Sequence, residues 1–363
     1  MKKIMFYTMS LEKGGAERVI SNLANELIKK YKVTIVTNIK SESEYKLDSS
    51  VKHIKIDKTT SEKKINKIIK KIGYYRTKKL CQIVEQEKPD IIIAFLPEPS
   101  FRILKLKNKI KTPIIISDRN DPNIEYKGIV LKNLMKKRYK KADGFIFQTK
   151  EAKEYFNSII KCKSEVIYNA INKEFIIENP TEKRKKTIVS VGRLEKQKNH
   201  KLLIDAFEKF NKKDSSFELE IYGEGKIQGE LKKMIESKGL NLKVHLMGKT
   251  DNVKKSISDA SMFILSSDYE GMPNVLLEAM SMGIPCISTN CPIGGPKSII
   301  KNEENGLLVE TNNSEQLCEA MIRMSKDEEL LKRIYDNHKA FLEEFDEKTI
   351  YKKWENYIEN MIK

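Results

Sequence analysis

Short apolar strands alternate with helical segments along this chain, and the alternation runs once, breaks at a polar stretch, and starts again. In the first half, Lys3 to Thr8, Val33 to Thr37, Asp90 to Phe95, Pro113 to Ser117 and Gly144 to Gln148 are expected as strands, with Val166 to Ile171 as the last strand and its exit and a helix over Ala16 to Lys30. Strands that are apolar throughout, rather than alternating with polar residues, suit a parallel sheet covered by helices on both faces. The run Glu178-Asn179-Pro180-Thr181-Glu182-Lys183-Arg184-Lys185-Lys186 interrupts the pattern. From Thr187 it resumes, with strands expected over Thr187 to Val191, Leu219 to Tyr222, Val244 to Met247, Met262 to Leu265, Pro285 to Thr289 and Leu307 to Val309, and helices over His200 to Asn211 and Ile227 to Lys238. At 363 residues the chain is too long for one ordinary core. Two doubly wound α/β domains are therefore expected, over residues 1–178 and 184–346. Ligands bind such sheets outside the carboxyl ends of the strands, so a cleft shared by the two domains is the expected site.

Within the second half, Glu270 and Glu278 stand eight residues apart around a helix start. An apolar strand runs into a short loop, and Pro273 falls where a first helical residue is tolerated, because its missing N–H would have had no partner there. The N–H groups of Asn274, Val275 and Leu276 then face the loop, and a helix start with unpaired donors and partial positive charge attracts a diphosphate. Glu270 and Glu278 add acceptors for hydroxyls, and a nucleotide sugar offers that combination. Arg193 follows the first strand of the second domain and Lys198 comes five residues later, so one loop delivers a forked guanidinium and a flexible ammonium. Such a pair suits a diphosphate leaving group. Gly14 and Gly15, between the first strand and first helix, let backbone N–H groups approach an anion, although an ordinary glycine turn reads the same way.

These segments, Gly14-Gly15-Ala16-Glu17-Arg18, Gly192 to Asn199, Glu270 to Glu278 and Asn305-Gly306-Leu307-Leu308-Val309, occur in the order and at the spacing of the retaining family 4 glycosyltransferases, which the chain resembles over nearly its whole length. The resemblance implies a GT-B architecture, two Rossmann-like domains facing across a cleft. The first would bind the acceptor and the second the nucleotide sugar, with a closing helix, residues 347–363, returning to the first domain and Trp354 as its packing anchor. It implies that Gly14 and Gly15 touch the donor phosphate and transferred sugar, that Arg193 and Lys198 neutralise the diphosphate, that Glu270 contacts the sugar hydroxyls, and that Glu278 holds the ribose. Attack would come on the face the diphosphate leaves, with the diphosphate itself accepting the acceptor's proton. Where many members carry a histidine, this chain reads Ser117-Asp118-Arg119-Asn120-Asp121-Pro122. It is similar there to a subgroup that builds bacterial capsule, O-antigen and lipid-linked glycans, and Arg119 would contact donor or acceptor, or else pair with Asp118 or Asp121. Asn290-Cys291-Pro292-Ile293-Gly294-Gly295-Pro296-Lys297 resembles that subgroup's Asp-Cys-Pro-x-Gly-Pro segment, with Asn290 in place of the acid and one more glycine. The implied activity is that of a hexosyltransferase moving a hexose or N-acetylhexosamine from a UDP-sugar to a lipid-linked glycan.

Charge divides between the halves. Residues 1–180 hold 39 Lys and Arg against 21 Asp and Glu, whereas residues 181–363 hold 30 of each. Clusters fall at 58–79, 102–111 and 132–141. In the first, Ile65, Ile68, Ile69 and Ile72 repeat at helical spacing among Lys63, Lys64, Lys67, Lys70 and Lys71. That pattern reads as a basic amphipathic helix for an anionic membrane surface or an acceptor diphosphate, or as the inward face of a domain helix with solvated lysines. The five cysteines are scattered, with no disulfide framework or zinc spacing. Ser267-Asp268-Tyr269 is not an Asp-x-Asp motif, so neither a metal nor another cofactor is expected. With no secretory leader and no apolar run long enough to span a bilayer, the expected location is cytoplasmic and peripheral on the inner face of the membrane. Two other readings stay open. A nucleotide-sugar epimerase of the same fold would need acid/base residues that four scattered histidines support poorly. A nucleic-acid binder would use the basic half but leave Arg193, Lys198, Glu270 and Glu278 without a role.

Overall fold

The computed structural model describes residues 1–12, 14–39, 43, 45–56, 65–180 and 184–362, the side chains of 65–72 excepted. The chain forms two compact units, Met1–Tyr168 with Ile350–Lys363, and Asn169–Thr349. The division precedes the polar run at 178–186, because the intervening residues bond into the second unit: the N–H of Asn169 reaches the Met272 sulfur (3.1 Å) and that of Ile177 the carbonyl of Ser281 (3.0 Å).

In the first unit, strands β1 (Lys3–Thr8), β2 (Lys32–Thr37), β3 (Lys52–Lys55), β4 (Ile91–Phe95), β5 (Ile114–Ser117), β6 (Gly144–Phe147) and β7 (Lys163–Val166) form one sheet in the order β3-β2-β1-β4-β5-β6-β7. Every pairing is parallel. The central strands β4, β5 and β6 are buried at every residue, as their unbroken apolar sequences require. The two edge strands escape an apolar-run reading. Lys-His-Ile-Lys of β3 and Lys-Ser-Glu-Val of β7 are only half-buried, with lysine protecting the sheet edge. The last strand is thus Lys163–Val166 rather than Val166 to Ile171, and β3 is a strand that the sequence did not announce. Helices α1 (Gly15–Leu27), α2 (Ile65–Glu87), α3 (Pro97–Lys105), α4 (Pro122–Glu125), α5 (Ile129–Tyr139) and α6 (Lys150–Asn157) connect them. Right-handed crossovers put α1 on one face and α2, α3, α5 and α6 on the other.

In the second unit, β8 (Lys185–Val191), β9 (Glu218–Tyr222), β10 (Val244–Gly248), β11 (Ala260–Leu265), β12 (Cys286–Thr289) and β13 (Leu307–Val309) lie in the order β10-β9-β8-β11-β12-β13. This is the 3-2-1-4-5-6 order of dinucleotide-binding sheets. Helices α7 (His200–Asn211), α8 (Gln228–Ser237), α9 (Val253–Ile257), α10 (Asn274–Ser281), α11 (Ser314–Lys326), α12 (Glu328–Asp336) and α13 (His338–Glu344) complete it, and α14 (Glu347–Ile362) enters the first unit at Ile350. The core follows helical spacing: Leu203, Phe207 and Phe210 of α7 share one buried cluster with Ile221 of β9 and Met321 of α11.

Strand order reverses between β1 and β4 in the first sheet and between β8 and β11 in the second. Ligands of such sheets bind outside the carboxyl ends of the strands at that reversal, so a site is expected among the loops leaving those neighbours.

Candidate active site

At the second reversal, the loop after β8 (192–199) and the loop after β11 (266–273) are stitched together. Gln197 accepts from the N–H of Asp268 (2.8 Å) and sends its side-chain amide to the Tyr269 carbonyl (3.0 Å). Ser266 donates to the Lys198 carbonyl (2.9 Å), and Asn199 donates to the Asp268 carboxylate (2.6 Å). The ladder delivers the Lys198 ammonium to the Glu270 carboxylate at 2.5 Å, with Ser267 Oγ donating to the same oxygen (2.7 Å). Both charged groups are largely buried, 14% and 9% exposed at the side chain. A desolvated, hydrogen-bonded pair of this kind holds a fixed geometry. Glycine makes room for it: a Cβ on Gly192 would stand 3.2 Å from Lys198 Cδ and Cε.

Arg193 is not drawn in with Lys198. Its guanidinium is 67% exposed, 3.2 Å from Glu195 and 3.4 Å from Gln197 Oε1. It is a solvated charge paired with Glu195 within the loop.

Helix α10 begins at Asn274, with Pro273 as its extended N-cap rather than its first helical residue. The N–H groups of Leu276 and Leu277 turn back to the Pro273 carbonyl (3.1 and 3.4 Å). Of the three donors expected to face the loop, that of Leu276 is therefore already used within the helix, whereas Asn274 and Val275 precede the ladder. Glu278 lies one turn inside and is 4% exposed. Asn274 Oδ1 accepts from Asn169 (2.6 Å), fixing the helix start against the chain that leads into this unit.

Beneath the Glu270 loop, the second glycine of the 290–297 segment has a steric cause. A Cβ on Gly295 would fall 1.5 Å from the Gly271 carbonyl oxygen, so the two backbones touch where no side chain fits. Gly294 has φ +69, which suits glycine. Ser267's carbonyl accepts from Thr289 Oγ1 (2.5 Å) and Cys291 Sγ (3.2 Å), and burial pushes that thiol up to about 12. Cys291 is thus a packed donor and not a nucleophile.

The first unit's reversal is built differently. Gly14 caps α1 in extended conformation, and its N–H donates to the Tyr45 hydroxyl (3.1 Å), which donates in turn to the Gly14 carbonyl (2.9 Å). The expected anion donor is therefore engaged by a tyrosine, while Gly15 opens the helix. Past β5, Arg119 is 9% exposed, donates to Ser117 Oγ (3.0 Å), and lies 4.9 Å over the Phe95 ring and 5.7 Å from that of Trp354. Burial pulls its pKa down to about 9. Trp354 stacks on Phe95 at 6.1 Å, so α14 supplies one wall of this aromatic seat. Asp118 bonds Tyr126 (2.7 Å) and Tyr139 (2.9 Å), and burial raises its carboxyl to about 6 against those lowering bonds. Asp121 caps α4 through the Asn123 N–H.

Lys63 and Lys64 lie outside the described residues. Lys67, Lys70 and Lys71 fall on α2, with side chains that are likewise not described. Among the described residues no cluster of His, Cys, Asp and Glu could hold a metal ion, and no helix is long and apolar enough to cross a membrane. The histidines do not assemble. His53 meets Thr37, His245 meets Glu218, and His338 meets the Ile177 carbonyl, while burial takes His200 down to about 4 at the start of α7.

Sequence reasoning missed Asn199, Asp268 and Tyr45. Asn199 alone had a signal, an Asn directly before a helix start, where it caps Leu202 N–H at 3.2 Å.

The chain matches the family Glycosyl transferases group 1 over residues 172–341 and Glycosyltransferase Family 4 over residues 13–175. It is 30% identical over 363 residues to the N-acetylgalactosamine-N,N'-diacetylbacillosaminyl-diphospho-undecaprenol 4-alpha-N-acetylgalactosaminyltransferase of Campylobacter jejuni subsp. jejuni, covering 96% of this chain and 97% of that one. A second protein of that organism, GalNAc-alpha-(1->4)-GalNAc-alpha-(1->3)-diNAcBac-PP-undecaprenol alpha-1,4-N-acetyl-D-galactosaminyltransferase, is 28% identical over 357 residues, 98% of this chain and 97% of its own. In fold, the chain matches sucrose-phosphate synthase of Thermosynechococcus elongatus with a TM-score of 0.85 at 15% identity, over 99% of each chain. With this likeness and the two sheets in hand, the chain belongs to the glycosyltransferases of group 1 and family 4 type, with the GT-B fold.

Proposed function

We propose that this enzyme moves a hexose or N-acetylhexosamine from a UDP-sugar to a lipid-diphosphate-linked glycan, with retention at the anomeric carbon. The observation that carries the reading is the buried Lys198–Glu270 pair at the reversal of the second sheet, beside the start of α10. Lys198 sits where an ammonium can turn from Glu270 to a diphosphate, and the exposed Arg193 can close on it from the rim. Glu270, released, accepts from the sugar hydroxyls, and Glu278 from the ribose. The Asn274 and Val275 N–H groups face the phosphates.

In the transfer, the bond from the anomeric carbon to the diphosphate oxygen breaks as the acceptor oxygen bonds to that carbon on the same face. The acceptor's proton passes to the leaving diphosphate, whose charge Lys198 and Arg193 neutralise. Catalysis then rests on positioning and charge stabilisation. No metal is needed in this reading, and the Asp268 carboxylate in the same loop as Glu270 accepts from Asn199. Arg119, seated on aromatic rings, is the cation offered to the acceptor. The lipid-linked acceptor is supported by kinship with the two Campylobacter enzymes, whose names specify diphospho-undecaprenol or PP-undecaprenol glycans.

The test is transfer from labelled UDP-hexoses and UDP-N-acetylhexosamines to an undecaprenyl-diphosphate glycan, with the anomeric configuration of the product read by NMR. A product keeping the donor's configuration, formed in EDTA, is expected. An inverted product, or turnover only with a divalent ion, overturns the mechanism.

A further inference from the structure

Helix α5 carries a surface that none of the chemistry above uses. Ile129 and Val130, its first two residues, are 80% and 83% exposed, and Leu134 one turn on is 38% exposed. Val130 and Leu134 share a face at i, i+4, and the exposed Lys132, Lys136 and Lys137 surround them. Two adjacent β-branched side chains held in water at a helix start have no folding role, since the helix packs through Met135 and Tyr139, both fully buried. Charge selects the occupant. Residues 127–141 contain seven lysines and arginines and no acid, in the half of the chain that carries all the net positive charge. Exposed apolar tips ringed by lysine match a bilayer surface, where the tips enter the acyl boundary and the ammonium groups meet anionic headgroups. An acidic protein or a nucleic acid would satisfy the lysines but not Ile129 and Val130.

Position adds a purpose. The chain leaves the carboxyl end of β5, passes Arg119 and α4, and then begins α5. The exposed tips therefore start at the strand-end rim of the first sheet, the side on which its ligands bind. We infer that the amino-terminal turn of α5 docks this enzyme on an anionic lipid bilayer and presents the rim around Arg119 to a lipid-anchored acceptor. The docking rests on the proposed function for its purpose only, and the experiment separates the two.

The experiment is co-sedimentation of the full chain with phosphatidylglycerol vesicles and with phosphatidylcholine vesicles, for the native protein and for the double variant Ile129→Ser, Val130→Ser. Transfer to a short-chain, water-soluble lipid-diphosphate acceptor is measured in parallel. Binding to phosphatidylglycerol that weakens about tenfold or more in the variant, with unchanged melting temperature and unchanged transfer in solution, is the expected result. Native protein that ignores phosphatidylglycerol vesicles overturns the docking, as does a variant that binds them equally well. So does a native dimer that the variant converts to a monomer, which would give this face to a second copy. Vesicle binding that needs Ile129 and Val130 in a protein without transfer activity leaves the docking standing and removes the proposed reaction instead.

Discussion

The two sheets share a topology but finish their strand-end crevices by opposite means. In the second unit, two loops are cross-bonded through backbone and short side chains, and the charges they carry, Lys198 and Glu270, neutralise each other. In the first, the charges sit apart. Arg119 rests on Phe95 and Trp354, Asp118 is held by two tyrosine hydroxyls, and the Gly14 N–H is held by a third. A paired buried ion pair is pre-organised for one ligand that replaces one partner, which suits an invariant diphosphate. Arg119 lies over two aromatic rings and donates to Ser117 Oγ, so it is seated largely by apolar surface where Lys198 is held by a carboxylate. Under the proposed function, the second unit would recognise the common substrate and the first the particular one.

Removing Glu270 attacks the comparison hardest. Glu270→Ala should leave a folded protein whose kcat falls about a thousandfold, because Lys198 is left without its orienting carboxylate. Steady-state transfer assays with circular dichroism check this, and unchanged turnover would detach the ion pair from catalysis. Gly295→Ala should cost stability on the order of 3 kcal/mol, since the new methyl meets the Gly271 backbone and not a side chain that can swing away. Chemical denaturation measures it, and a loss below about 1 kcal/mol would mean that the loop beneath Glu270 is not tightly packed.

Asp118 tests the first unit by pH. Its folded-state pKa, about 6, stands above the ordinary value of 3.8, so the folded protein holds a proton there that the unfolded chain has given up. Its contribution is present at low pH and is lost as pH rises through that window, amounting to on the order of 3 kcal/mol for a fully buried group. Stability of the native protein relative to Asp118→Asn should thus decline between pH 4 and pH 7. Denaturation curves at both pH values provide the measurement, and a pH-independent difference would show that the carboxyl titrates normally. The smallest effect is expected for Asn199→Ala, about 1 to 2 kcal/mol from the lost cap on α7, accompanied by a rise in donor KM as the two loops separate. A stability loss without any KM change would reduce Asn199 to a capping residue.

Legibility followed burial and locality. Central strands were visible because double burial demands unbroken apolar residues, whereas β3 and β7 were hidden by the lysines that protect edges. Glu270, Lys198 and the start of α10 could be read because each stands in a local motif. Their mutual pairing could not, since it depends on a register between loops about seventy residues apart, set by Asp268, Gln197 and Asn199. The salt-bridge alternative for Arg119 gave way to stacking because Tyr126 and Tyr139 take Asp118 and a helix cap takes Asp121. Those tyrosine contacts, 8 and 21 residues along the chain, follow no helical or strand period that a sequence pattern would show.

The measurement that bears most directly on the account is thermal stabilisation by UDP-, GDP- and ADP-sugars, in EDTA, for the native protein and for Lys198→Ala. A shift with one UDP-sugar that survives EDTA and disappears in Lys198→Ala is the predicted result. No shift with any nucleotide sugar, or an equal shift in both proteins, would contradict a donor site built on the Lys198–Glu270 pair.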